Sequence, residues 1–418
     1  MMKIILLLKS IHLFPLLIFY VTDARAAAFS SQATSASALG NAYAGSTTGT
    51  HDNSDMYFNP AILSLHDRPQ LTLGAIRTDH VIDATVHSTT INGIAQNGVS
   101  KASPGYIGLI PYYSLSLPLN AYWSVGLNVS APFYLNTKYG ADSLARFHAL
   151  ESRIRSTNIN PMLSYKINER LAIGAGLQLE RLDIEMSRNI APHLVFGRYG
   201  GSHTGYGLNL GLLAQITPEL KAGLAYRSAI KHHLLGNVDL KTAAGGNLPS
   251  YQGKVEFTMP EMLALGIAWQ VQKKMEVAMD IHWTRWSRIS EFLIERIAPP
   301  PGNTNLAVAL PFRNSLLTAI GLNYRLNNKW LLQSGLSYEK DAITNHYRNP
   351  RFPVGDRYGL SIGAQYSLNQ NTRLILSYAR QIMKNTVSHI PESATTASLQ
   401  AEYKQAVHLI GAALNLTW

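Results

Sequence analysis

Fourteen histidines, two of them adjacent at His232-His233, are the side chains of this 418-residue chain best suited by type to hold a metal or move a proton. A zinc site needs ligands at set spacings, such as the paired histidines of HExxH. No such spacing occurs, and there is no cysteine, so neither a metal site nor a cofactor is assigned. His232-His233 reads as a solvated pair at a strand end. A nucleophile needs a base and an orienting group around it. The Ser202-His203 pair falls in a polar, loop-like stretch, no nucleophile elbow is present, and no residue is assigned as catalytic. GAGLQL and GYGLNLG contain Gly-x-Gly without completing GxGxxG, and small residues facing a lumen explain them better.

The elements that would position any site are strands. From about residue 69 the chain is a run of roughly ten- to sixteen-residue segments, the clearest being the last, AVHLIGAALNLTW. Ile410, Ala412, Leu414, Leu416 and Trp418 share one face there, and Gly411, Ala413, Asn415 and Thr417 the other. A period of two with one greasy and one small or polar face suits a strand with lipid outside and a wet or filled lumen inside. About fourteen segments can be counted, beginning with RPQLTLGAIRTDH and YIGLIPYYSLSLPL. Tight turns at 167–170, 217–220, 327–329 and 369–371 alternate with long polar connections at 187–203, 240–251, 291–311 and 385–400. Short turns on one side and long loops on the other predict an all-β transmembrane antiparallel barrel of about 14 strands. Trp123, Trp269, Trp283, Trp286 and Trp330 fall near segment ends, where aromatic girdles sit.

The first residues set the compartment. Lys3 and Lys9 flank IILLL, IHLFPLLIFYV follows, and a small-x-small site at Ala24 and Ala26 ends the run. Residues 1–26 therefore read as a signal peptide, the greasy core being short for the ~20 residues of a spanning helix. The formal charge of +11 favours acidic partners, anionic lipid or small acids in an exported protein, and not nucleic acid. A generally basic surface would give the same number. The stretch ALGNAYAGSTTGTHDNSDMYFNPAILSL, residues 38–65, is neither an amphipathic helix nor a strand. Irregular backbone at membrane depth is tolerated inside a barrel, so it reads as a plug, against the alternative of a periplasmic tail.

Several stretches, in order along the chain, resemble the long-chain fatty acid transporters of the bacterial outer membrane, a family that includes aromatic-hydrocarbon channels. They are SALGNAYAG, YFNPAIL, SAPFYLNTKYG (130–140), RFHALESRIRSTNINPMLSYKINERLAIGAGL (146–177), LAYRSAIKHHLLGNV (224–238), PEMLALGIAW (260–269) and PRFPVGDRYGLSIG (350–363). The resemblance implies a fourteen-stranded barrel over 69–418 closed by an N-terminal hatch over 27–68. It also implies that Asn59, Pro60 and Ala61 form the hatch motif beside a kink in the third strand, where a gap opens in the wall. Pro132 donates no ladder bond and is a contributor to that kink, or else ends the strand at the rim.

The function the resemblance implies is passive uptake of long-chain fatty acids or related hydrophobic molecules, with lateral exit through the wall gap. Burying a tail is worth ~0.8 kcal/mol per methylene, and a carboxylate head needs a cation or donors. Arg313 and Arg181 lie near basic positions of the family and are the candidate carboxylate partners. Alternatively each is a lumen or rim arginine neutralised by an acid such as Glu180. An aromatic-hydrocarbon channel is the nearest other reading, and a general porin or a barrel hydrolase stands further off. Expected partners are the hydrophobic ligand, outer-membrane lipid and lipopolysaccharide, and the barrel assembly machinery through Trp418, with the protein a monomer.

Overall fold

The computed structural model describes residues 30, 33–190, 195–242, 244–296, 306–393 and 396–418. The expected signal peptide, residues 1–26, lies outside them. The barrel strands, numbered here in chain order, are β1 (Gln70–Ser88), β2 (Tyr106–Pro118), β3 (Trp123–Ser130, resumed as Tyr134–Lys138), β4 (Glu151–Asn168) and β5 (Leu171–Ile190). Next come β6 (Val195–Thr217), β7 (Leu220–Arg227 and Ile230–Lys241), β8 (Asn247–Met259 and Met262–Gln272), β9 (Met275–Thr284 and Glu291–Arg296) and β10 (Leu306–Ala309 and Ser315–Arg325). The last are β11 (Trp330–Glu339), β12 (Arg357–Ser367), β13 (Thr372–Met383 and Thr386–Ile390) and β14 (Leu399–Thr417). Each pairs antiparallel with its chain neighbours, and β1 closes on β14 from Gln70↔Thr417 to Ser88↔Gln400. The result is a closed fourteen-stranded barrel, as the segment count predicts.

Alternation sorts the two faces. On β5, Ile173, Leu177 and Leu179 are exposed on the outside, while Ala172, Gln178, Glu180 and Leu182 are buried within. The outer rows end in aromatic pairs near the tight turns, Trp123 on Tyr165 and Trp330 on Tyr366, each with centroids 4.6 Å apart. Trp286 departs from the expected girdle: it is 1% exposed and packs edge-on to Phe133 and Phe312 inside.

The long connections also differ from expectation. Residues 187–203 and 240–251 are mostly strand, because β5 to β8 run on as extended hairpins. Above the hydrocarbon a strand no longer needs an apolar outer face, so these portions have the composition of loops. Ser202 and His203 accordingly lie within β6. His232 is a fully buried inward residue of β7, 3.4 Å from Glu180, and not a solvated one.

Residues 33–65 fill the lumen as three short helical turns. Ser35, Asp52 and Asn59 cap Ala36–Gly40, Asn53–Tyr57 and Pro60–Leu65 by accepting from the next turn's N–H. The wall grips this hatch from many sides: Ala36 N–H donates to Tyr112 Oη at 2.7 Å, Asn41 to Asn323 at 2.9 Å, and Gly45 and Thr47 N–H to Asp280. The inner wall is bare where the hatch backbone comes closest. A methyl group on Gly174 would sit 2.5 Å from the Ala61 nitrogen, and one on Gly211 would collide with Asn59 Oδ1. Gly174 and Gly211, one from each of the two glycine-rich stretches, thus supply space for the plug.

Candidate functional site

Three features of the lumen bear on function. The uppermost is a pocket at the outer end of β5 to β9, lined by Met186, Ile190, Tyr199, Val238, Phe292 and Ile294 together with Arg188 and Arg351. Its aromatic wall is Tyr199 edge-on to Phe292 at 5.9 Å. Arg188 extends the inward row of β5 and is 8% exposed; Arg351 arrives from the connection between β11 and β12 and is 3% exposed. Arg351 donates to Ser152 Oγ at 2.7 Å and to the Ser187 carbonyl at 3.2 Å, which fixes its guanidinium, while its Nε has no partner among the described residues. The Arg188 side chain makes no hydrogen bond or ion pair among the described residues. Other buried arginines nearby are neutralised, Arg348 by Asp341 at 2.8 Å and Arg357 by Glu339. Two buried guanidiniums facing an apolar pocket without a carboxylate form a site for an anionic head on a greasy body.

The pair leaves its mark on the neighbouring loop. Burial and the Arg188 charge, with help from Arg351, hold His148 far below the usual imidazole value, at about 3, and burial beside Arg188 brings Arg351 down to about 9. A base whose folded pKa is depressed costs the fold nothing above its ordinary value of about 6.5. Below that value it destabilises the fold progressively, by about 2 kcal/mol at pH 5. Amide protection factors across residues 143–150, taken relative to the intrinsic exchange rate at each pH, are therefore expected to fall as pH drops from about 6.5 to 5. A His148→Gln variant removes that added sensitivity, and an unchanged profile in the variant refutes the assignment to His148.

Deeper in the lumen, Arg227 on β7 is buried and joins wall to hatch. It donates to the Tyr57 carbonyl at 2.7 Å and to Asn160 Oδ1 at 3.3 Å, and lies 4.1 Å above the Tyr57 ring. Tyr57, Pro132, Met259, Met262 and Trp286 share a cavity beside it.

The third feature is a parting of the wall. β3 pairs with β2 only from Tyr113↔Val129 to Pro118↔Ser124. It breaks at residues 131–133, and its upper piece pairs with β4 alone, from Tyr134↔Arg155 to Lys138↔Glu151. Ser156 holds the break, with its Oγ accepting from Phe133 N–H at 2.9 Å. Ser30 bridges to Phe133 from the N-terminal side. Rings cover the parting: His80 stacks on Tyr106 at 5.6 Å and Tyr106 on Tyr134 at 6.2 Å.

Pro132 lies inside this break, with the strand resuming beyond it. Asn59 caps Ala61 at 3.0 Å and ties the hatch to the Leu212 carbonyl of β6 at 3.0 Å, and Ser164 of β4 donates to the Ala61 carbonyl at 3.2 Å. The Asn59-Pro60-Ala61 corner therefore seats on β4 to β6, not at the kink, and the hatch residues that share cavities with Pro132 are Thr34, Tyr43, Tyr57 and Phe58. Arg181 projects outward, 57% exposed, bonded to Asp183 at 3.0 Å. The inward neighbour is Glu180, because alternation turns adjacent residues to opposite faces. Arg313 is exposed in the break of β10, its N–H donating to the Ala342 carbonyl at 2.7 Å. Arg188, Arg351 and Arg227 were not singled out from the sequence. The signals available were the end of the inward row on β5 and the PRFPVGDRYG stretch that contains Arg351.

Among known proteins, a family model described as outer membrane protein transport protein (OMPP1/FadL/TodX) matches residues 17–418. Outer membrane protein P1 of Haemophilus influenzae is 25% identical over 94% of this chain and 95% of its own. The long-chain fatty acid transport protein of Escherichia coli is 23% identical over 84% and 86%. Among solved structures, a Pseudomonas aeruginosa FadL homologue superposes with a TM-score of 0.85 at 20% identity, covering 94% of this chain and 99% of that one. The Pseudomonas putida toluene transporter TodX gives 0.67 at 19% identity, covering 88% and 94%.

Proposed function

The chain belongs to the outer membrane protein transport family that holds the FadL and TodX proteins, and we propose that within it this barrel admits long-chain fatty acids or closely similar amphipathic acids. The observation that carries the choice of an acid is the Arg188 and Arg351 pair, buried against aromatic and aliphatic side chains without a carboxylate partner. A neutral hydrocarbon would leave both charges desolvated and unmatched, whereas a carboxylate converts them into charge-assisted hydrogen bonds.

The path runs from the outer pocket past Arg227 and Tyr57 to the cavity beside Pro132, and then sideways through the parting of β2 and β3. Nothing along it couples to an energy source, so movement follows the gradient. No residue arrangement described above performs bond chemistry, and the reading is a channel and not an enzyme. The test is to compare the purified detergent-folded barrel's affinity for a long-chain fatty acid and for the primary alcohol of equal length. The acid is expected to bind about tenfold tighter or more, as one charge-assisted hydrogen bond requires. Equal affinity, or preference for a neutral arene, moves the function to hydrocarbon uptake.

A further inference from the structure

The outer wall of β4 to β8 holds a second concavity, on the face of the sheet opposite the lumen. It encloses about 630 Å3, and its lining includes Arg153, Asp183, Ser202, Asn237 and Gln252. These stand at outward positions, alternating with the buried Ile154, Ile184, Tyr199 and Val238. The floor is bare at Gly200, the outward residue of β6 that lies opposite Glu185 of β5 and Asn237 of β7.

The charges beside it form two groups. Arg153 reaches Glu151 at 2.8 Å and Glu185 at 3.5 Å, Arg198 reaches Glu185 at 2.5 Å, and Arg181 bonds Asp183 at 3.0 Å and Ser202 at 3.1 Å. Its height is set by the same rows. Leu179 and Tyr206 are exposed apolar residues directly below, and Arg181 stands two residues above Leu179, about 7 Å along the strand. An outward arginine costs roughly 2–4 kcal/mol at the hydrocarbon midplane and little at the interface. The concavity therefore opens where the head groups of the outer leaflet lie.

Neither a bare phosphate nor an acyl chain accounts for the whole lining. Guanidiniums match phosphate oxygens in paired geometry, while Asp183, Asn237, Gln252 and Ser202 offer the donors and acceptors that sugar hydroxyls need. The gap in side chains at Gly200 leaves room for a ring, and the volume lies in the range of small-ligand sites. We propose that this concavity binds the phosphorylated saccharide head group of an outer-leaflet glycolipid, with the arginines on phosphate and the amides and carboxylate on the sugar.

Gly200 provides a clean test, because a methyl group built on it meets nothing within 4 Å, so Gly200→Tyr fills the concavity without disturbing the wall. The full-length barrel, folded in detergent, would be titrated with bisphosphorylated lipid A and with phosphatidylglycerol and followed by native mass spectrometry. Lipid A is expected to be retained about tenfold better than phosphatidylglycerol. Both Gly200→Tyr and the double variant Arg153→Gln, Arg181→Gln should abolish that preference, the loss of about one charge-assisted bond. Fatty-acid binding in the lumen is expected to stay unchanged in both variants, which separates this site from the channel. Equal retention of the two lipids by the parent barrel, or an undiminished preference in Gly200→Tyr, overturns the proposal.

Discussion

Replacing Arg351 by glutamine is expected to weaken fatty-acid binding by about ten- to a hundredfold while leaving a neutral alkane of similar size bound as before. The magnitude follows from the roughly 1.5–3 kcal/mol that a hydrogen bond to a charged group contributes. Glutamine keeps a polar amide on a shorter side chain, so the charge and the Nη contacts to Ser152 Oγ and the Ser187 carbonyl are lost while the backbone N–H of residue 351 can still donate to Asn349 Oδ1. Arg188→Gln is expected to act in the same direction, and because both side chains line one pocket, the double variant should fall short of the sum of the two. Calorimetric titration of both ligands checks this. Parallel losses for acid and alkane would mean that the arginines only shape the pocket, and the assignment of the head-group site would fail.

The second large effect concerns the plug. Gly211→Val puts a branched side chain where Asn59 Oδ1 lies, and this glycine sits on β6 next to the Leu212 carbonyl that Asn59 grips. Overpacking of this kind costs roughly 1–3 kcal/mol, enough to raise the population of a displaced hatch about five- to a hundredfold. With the hatch dislodged, a fourteen-stranded barrel is wide enough for small solutes. Liposomes carrying the variant should swell in a small sugar while those carrying the parent do not. A variant that stays sealed would show that the hatch can shift without opening a path.

Fold and site differ in how much of each the sequence discloses, and the reason is what the lipid demands. Within the hydrocarbon every second residue must be apolar, so RLAIGAGLQLERLDIEM and its fellows announce both the strands and their faces. Above it that demand lapses, which is why the upper halves of β5 to β8 resemble loops. The same lapse hides the phase of the alternation at Glu180 and Arg181, where a single position decides between lumen and exterior. The head-group pair is hidden for a different reason. Arg188 and Arg351 are distant in sequence and meet only because the barrel closes and a connection folds back over β4 and β5. Trp286 was misplaced because a break in β9 turns it inward, and a short irregularity of that kind leaves no periodic trace.

The parting between β2 and β3 has a further consequence. Along residues 107–112 β2 has a ladder partner on one side only, so alternate residues turn a carbonyl, and wherever the residue is not proline an amide, toward the opening. Such groups facing pure hydrocarbon are penalised by several kcal/mol each, and the slot is therefore a polar seam running up an otherwise greasy wall. A cargo with no polar end gains nothing from it. A fatty acid passing through can lay its carboxylate along the seam's amide hydrogens while its tail slips first among the lipid chains. On the proposed route the doorway favours the same two-part molecule as the arginine pocket, and it does so with main-chain atoms, whose amide hydrogens only a change to proline would remove.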